Sequence, residues 1–188
     1  MTTPSPVRQV MPFMALVILL AAATLICDYL LHWLDLGWVG RYLGIPGTLL
    51  IAGSFVYSLR KRKLISMGRP KSLLTFHEFC AWLGSLLILV HAGIHFNAVL
   101  PWLATLAMAV TVVSGMVGKL LLDRSRSQMR KQPEECEPPA LTEQAVFWDS
   151  VMLGIMARWR QVHIPIFVAF LVLASGHIIS IMLFWSWA

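Results

Sequence analysis

Charge is scarce in this sequence. Asp, Glu, Lys and Arg together make up 13% of its 188 residues, against 58% apolar residues. A soluble chain of this length has too little interior to hide that much apolar surface, so an ordinary water-exposed domain is excluded. A bundle whose solvent is lipid has no such difficulty. Cysteine is also scarce. Cys27, Cys80 and Cys136 form no close pair, which excludes a disulfide framework, and no C-x-x-C-H occurs to attach a c-type haem covalently. Cys27 and Cys80 fall inside apolar runs and read as packing residues. There is no G-x-G-x-x-G phosphate loop, so no nicotinamide-binding unit is expected. Basic residues outnumber acidic ones and the net charge is +6. They flank apolar runs, however, so membrane topology accounts for them and nucleic acid is not an expected partner.

What remains is a series of apolar runs. The hydropathy pattern predicts an all-α, polytopic membrane helix bundle forming one domain, with five transmembrane helices at about 11–33, 43–59, 72–98, 101–122 and 161–186. The first run is too long for the apolar core of a signal peptide. Residues 123–160 are expected outside the lipid, first as a solvated linker rich in charge and proline. An amphipathic interfacial helix follows over 142–158, where Trp148, Val151, Met152, Ile155 and Trp159 recur at helical spacing. Thr142 is its predicted cap.

Lys and Arg placement sets the orientation. If residues 1–10, 60–71 and 119–160 share one side, that side holds fourteen of the fifteen basic residues and the other only Arg41. The positive-inside rule then predicts a cytoplasmic N-terminus and an outer C-terminus, in a bacterial inner membrane. Trp33, Trp38, Trp102, Trp185 and Trp187 cluster at the outer interface, where indoles prefer to sit.

Six histidines are present, and four of them repeat a spacing. His77 and His91 lie fourteen residues apart in the third span, as do His163 and His177 in the fifth. Fourteen residues are nearly four helical turns, with an offset of about 40° and a rise of about 21 Å. Each pair therefore presents two imidazoles on one helix face, one towards each membrane edge. The third and fifth spans run parallel, so His77 pairs with His163 at the inner level and His91 with His177 at the outer. Two imidazoles at each of two levels suit two haem b groups with two histidine ligands each. A zinc site would need about four close ligands, and each level offers two. The small residues Ala81, Gly84 and Ser85 on the third span, and Ala174 and Gly176 on the fifth, are expected to make room for the macrocycles.

Anionic propionates want cations or donors. Lys71, Arg158 and Arg160, with Arg69 nearby, are the candidates at the inner level. His95 and Asn97, with Trp102 and Arg41, are those at the outer. His95, one turn beyond His91, could instead meet a quinone. His32 and Asp28, one turn apart at the outer end of the first span, are candidates for quinone binding or proton passage. Membrane histidines can also do no more than bond neighbouring helices together, and that reading applies to any one of these taken singly.

The order His77…His91 and His163…His177, on helices separated by one crossing, resembles the dihaem membrane domain of ferric reductases and NADPH oxidases. It is also similar to the four-helix dihaem core of cytochrome b in quinol:cytochrome c oxidoreductases. The resemblance covers about residues 43–186 and rests on the four histidines. It implies that they are axial ligands of haem iron and that the chain carries electrons across the membrane. Ferric reductases and oxidases add a flavin and nicotinamide module, and none is readable here. The long connection 123–160 is expected in the cytoplasm, whereas the quinol-oxidising cytochromes place the equivalent connection outside.

The sequence therefore reads as a dihaem electron-transfer subunit of a larger oxidoreductase complex rather than a complete enzyme. Its partners would be membrane lipid, a redox protein carrying flavin, iron–sulfur or c-type haem, and quinone. The alternatives are a self-contained ferric or oxygen reductase, and a non-redox transporter or scaffold.

Overall fold

The computed structural model describes residues 6–61, 63–64, 66, 69–93, 98–131 and 141–184. In chain order these form α1 (Pro6–Trp33), α2 (Gly37–Tyr42), α3 (Gly44–Lys61), α4 (Pro70–Ala92), α5 (Val99–Lys131) and α6 (Leu141–Phe184), with no strand among them. Five stretches are long and apolar enough to cross a membrane: Met14–Trp33, Gly37–Arg60, Lys71–Ala92, Val99–Leu120 and Ala157–Phe184. Few side chains are buried, and the outer faces carry exposed residues such as Leu25, Leu106, Val172 and Ile179. Apolar residues on the outside and a small interior are what a lipid-solvated bundle requires.

The helix ends follow local rules. After α1 the amide of Leu36 bonds to Leu31 O at 2.8 Å and that of Asp35 to His32 O at 3.1 Å. Asp35 sits at φ 56, in the left-handed conformation that closes such a cap. Lys63 repeats the device after α3, at φ 59, with Leu64 bonded to Leu59 O at 3.0 Å. At the start of α4, Arg69 is extended and Pro70 opens the first turn, where its missing N–H costs nothing. α4 ends at Gly93, whose φ of 48 favours glycine.

Two features differ from the sequence reading. The expected interfacial helix over 142–158 is not separate, because α6 runs unbroken for 44 residues and includes the fifth span. No proline interrupts the chain between Leu141 and Pro165, so nothing stops the helix at the expected boundary. The linker expected from residue 123 likewise begins as helix, since α5 continues to Lys131. At about 1.5 Å per residue, α5 and α6 span roughly 50 Å and 66 Å, well beyond an apolar core of about 30 Å. Residues 132–140, including Cys136, lie outside the described residues. The same holds for Trp185 and Trp187.

α3 packs along α4 and α5 along α6, and α4 lies against α5, joining the two pairs. α1 lies on α4 and touches α5, while α2 fills the corner between α1, α3 and α4. Gly47 and Gly84 set the α3–α4 approach. A Cβ on Gly84 would stand 2.9 Å from Gly47 O, and one on Gly47 would stand 3.1 Å from Gly84 O. Gly84 therefore does not open room on a ligand-bearing face as expected: its bare Cα is taken up by the neighbouring helix. Small residues of this kind let membrane helices approach closely.

Across the bundle the opposite holds. Among the described residues no Cα of α4 or α3 comes within 8 Å of one in α6. Side chains fill the middle of that gap: Ile51, Met108 and Phe170 form the buried core, with Ile88, Leu89, Phe167 and Leu171 around it. The Phe55 and Phe167 rings meet at 5.0 Å and bridge α3 to α6.

Candidate functional site: two histidine levels

His77 and His91 project from α4, and His163 and His177 from α6. His77 lies close enough to His163 to interact with it electrostatically across the bundle, and His91 to His177. The pairs are therefore His77 with His163, here the first level, and His91 with His177, the second. α4 and α6 run in the same direction. Phe170, seven residues from each α6 histidine, belongs to the apolar plug between the levels. The two levels are thus separated by apolar side chains.

His77 Nδ1 lies 3.0 Å from Ser54 O on α3, and Tyr57 packs its ring 5.7 Å from the imidazole. A carbonyl only accepts, so Nδ1 carries the proton and a neutral His77 keeps its lone pair at Nε2. His91 Nδ1 makes the same kind of bond to Gly40 O on α2, at 3.3 Å. Its ring lies against Gly44, where a Cβ would stand 2.8 Å from it, so the start of α3 must be bare at that point. His163 Nδ1 lies 3.2 Å from Ser114 Oγ on α5 and stacks on Trp159 with ring centroids 4.9 Å apart. His177 has no hydrogen bond among the described residues. Beside it Gly176 faces Leu100 on α5, an apolar neighbour.

This pattern has a chemical use. A histidine that ligates metal through one ring nitrogen almost always fixes the other by a hydrogen bond, which sets tautomer, ring orientation and basicity. Three of the four imidazoles are held in that way, and none spends Nε2 on a hydrogen bond among the described residues. Facing imidazoles from helices with separated backbones can serve a flat group lying between them. Among the described residues no three His, Cys, Asp or Glu side chains gather closely enough to hold a bare metal ion.

The remaining candidates are more scattered. Lys71, Arg158 and Arg160 are exposed near the first-level end of α4 and α6, as is Arg69. Arg41 is exposed on α2, at the second-level end. α4 stops at Ala92, so it does not carry His95 a further turn past His91; His95 and Asn97 lie outside the described residues. His32 and Asp28 are together on α1. The imidazole Nδ1 is 2.9 Å from Asp28 O and 3.6 Å from its carboxylate, which is largely buried while His32 is open.

Several partners escape the sequence reading. Ser54, Ser114, Gly40 and Gly44 act through contacts between distant helices, and spacing alone does not mark them. Glu78 could have been found: a carboxylate beside His77, towards the inner end of an apolar span, calls for a partner. It pairs with Lys119 of α5 and ties α4 to α5 near the first level. Comparison with known protein families, curated proteins and solved structures finds no match for this chain.

Proposed function

We propose that the chain is a membrane-embedded dihaem b-type cytochrome, with His77 and His163 as axial ligands of one haem and His91 and His177 as those of the other. The observation carrying this reading is the pairing of four imidazoles, at two levels, across a gap between α4 and α6. When bound, haem supplies one-electron redox chemistry; the protein sets ligation, spacing and electrostatics. The donor set fits that group. Each level would offer two imidazole nitrogens, one from α4 and one from α6, with Nδ1 anchored on His77, His91 and His163. The apolar plug of Ile51, Met108, Phe167 and Phe170 keeps water from the space between the levels.

Carrying electrons across the membrane is the function this arrangement supports best. In this reading the asymmetry of the basic segments favours the first level on the cytoplasmic side, with the N-terminus inside and the C-terminus outside a bacterial inner membrane. Lys71, Arg158 and Arg160 then stand where inner propionates would emerge. The His32–Asp28 pair, at the outer end of α1, is the candidate for proton exchange with quinone. A redox protein bearing flavin, iron–sulfur or c-type haem would complete the complex.

The test is a pyridine haemochrome assay on the purified full-length chain, with its reduced-minus-oxidised spectrum. The expected result is two b-type haems per chain. Folded, carefully prepared protein without haem would overturn the reading and favour a transporter or scaffold.

A further inference from the structure

Hydroxyls in apolar helices have a default partner, the carbonyl one turn back. Thr24, Thr48, Thr105, Thr111 and Ser180 each donate to it, at 2.7–2.9 Å. Ser114 does not. Its hydroxyl crosses from α5 to α6 and meets His163 Nδ1 at 3.2 Å. Its carbonyl crosses the same interface, accepting the indole N–H of Trp159 at 2.8 Å. Trp159 in turn stacks on the His163 ring, with an interplanar angle of 23°. The arrangement depends on Gly118, one turn after Ser114, where a Cβ would stand 2.2 Å from the indole. One residue thus holds both the edge of the His163 ring and the plate on which it lies.

We infer that Ser114 is the positioning residue of the first level, setting the orientation and donor strength of His163 through its hydroxyl and, through its carbonyl, the seat of Trp159. The inference rests on the haem reading and deepens it. Donation from Nδ1–H to the hydroxyl makes Nε2 a stronger electron donor, and a stronger donor favours the oxidised iron. The two anchors of this level also differ in kind. His77 bonds to a backbone carbonyl that substitution cannot remove, whereas His163 bonds to a side chain. The donor strength of the first level is therefore adjustable at one position, and that position touches no ligand of the second level.

The experiment is a spectroelectrochemical titration of the purified full-length protein as wild type, Ser114→Ala, Ser114→Thr and Trp159→Phe. In Ser114→Ala one of the two midpoint potentials moves upward and the other stays. The species that moves is the one His163→Ala removes. Ser114→Thr, which keeps a hydroxyl, returns the potential towards wild type. Trp159→Phe keeps a ring but loses the N–H, and it alters the low-spin EPR signal of the same haem only. Selective loss of that haem in Ser114→Ala, restored by Ser114→Thr, supports the assignment equally. Two haems in the wild type with both potentials unmoved, or both shifted together, would overturn the role of Ser114 and leave the haem reading intact. No haem in the wild type would overturn both.

Discussion

The two histidine levels share one spacing and differ in how their rings are held. At the first level both imidazoles are fixed, His77 by Ser54 O and His163 by Ser114 Oγ and the Trp159 stack. At the second level His91 is fixed by Gly40 O and flattened on Gly44, but His177 has no such anchor among the described residues. The difference comes from the neighbours. α3 and α2 supply a carbonyl to each α4 histidine. α5 supplies Ser114 opposite His163, while towards the other end its apolar Leu100 stands beside Gly176. Equal spacing along a helix therefore places two histidines without giving them equivalent surroundings. The groups that touch the rings distinguish them, and those come from other helices.

The comparison can be broken most severely by removing what both levels share. Gly84→Val would drive a branched side chain into Gly47 O and Ile51, both about 2.9 Å from the Cβ position. The α3–α4 pair must part, at a cost of about 1–3 kcal/mol or more. Both haems should be lost or weakened together, with a lower thermal midpoint. A variant that kept both haems and wild-type stability would show that this crossing does not hold the levels in place.

One-sided substitutions should then separate the levels. Gly118→Ala displaces Trp159 and should perturb the first level alone, while Gly44→Ala crowds His91 and should perturb the second alone. Each should cost about 1 kcal/mol, in the range for overpacking where the neighbour can yield. Absorption spectra of each reduced variant would check this, and a shift of both bands in either variant would contradict it.

The missing anchor predicts a difference in lability. An imidazole held by nothing but its ligand bond is more easily displaced than one fixed at Nδ1. Carbon monoxide should therefore bind the dithionite-reduced protein at the second level and spare the first. Equal binding at both levels would mean that the anchors do not govern exchange. The smallest effect should come from Lys119→Ala. The Lys119–Glu78 pair is partly exposed, and such pairs contribute about 0–1 kcal/mol. A drop in thermal midpoint of a degree or two is expected, with both spectra unchanged. A larger loss confined to the first level would give Glu78 a part in holding His77.

How much of this was legible in the sequence depends on which force decided each feature. The apolar runs were legible because lipid imposes a length and a composition on any helix that crosses it. The placement of the four histidines at two levels of α4 and α6 was legible because nearly four helical turns leave a mark in spacing. Helix ends were less so: α6 continues through the expected boundary because no residue there opposes a helix, and α5 overruns into the expected linker. Gly84 has the expected spacing but faces α3 rather than an open ligand space, since periodicity gives a direction on a helix and not what lies there. Ser54, Ser114 and Gly44 were not legible at all. Their roles are made by contacts across 23, 49 and 47 residues of sequence, the last between Gly44 and His91.

The central claim is that the levels pair His77 with His163 and His91 with His177 as ligands of two haems. The most direct measurement is the reduced-minus-oxidised spectrum of the four single His→Ala variants, each purified as the full-length chain. The account predicts two classes. His77→Ala and His163→Ala retain the same one haem, and His91→Ala and His177→Ala retain the other. If instead His91→Ala and His163→Ala lost a common haem, or if all four variants kept both, the pairing across α4 and α6 would be wrong.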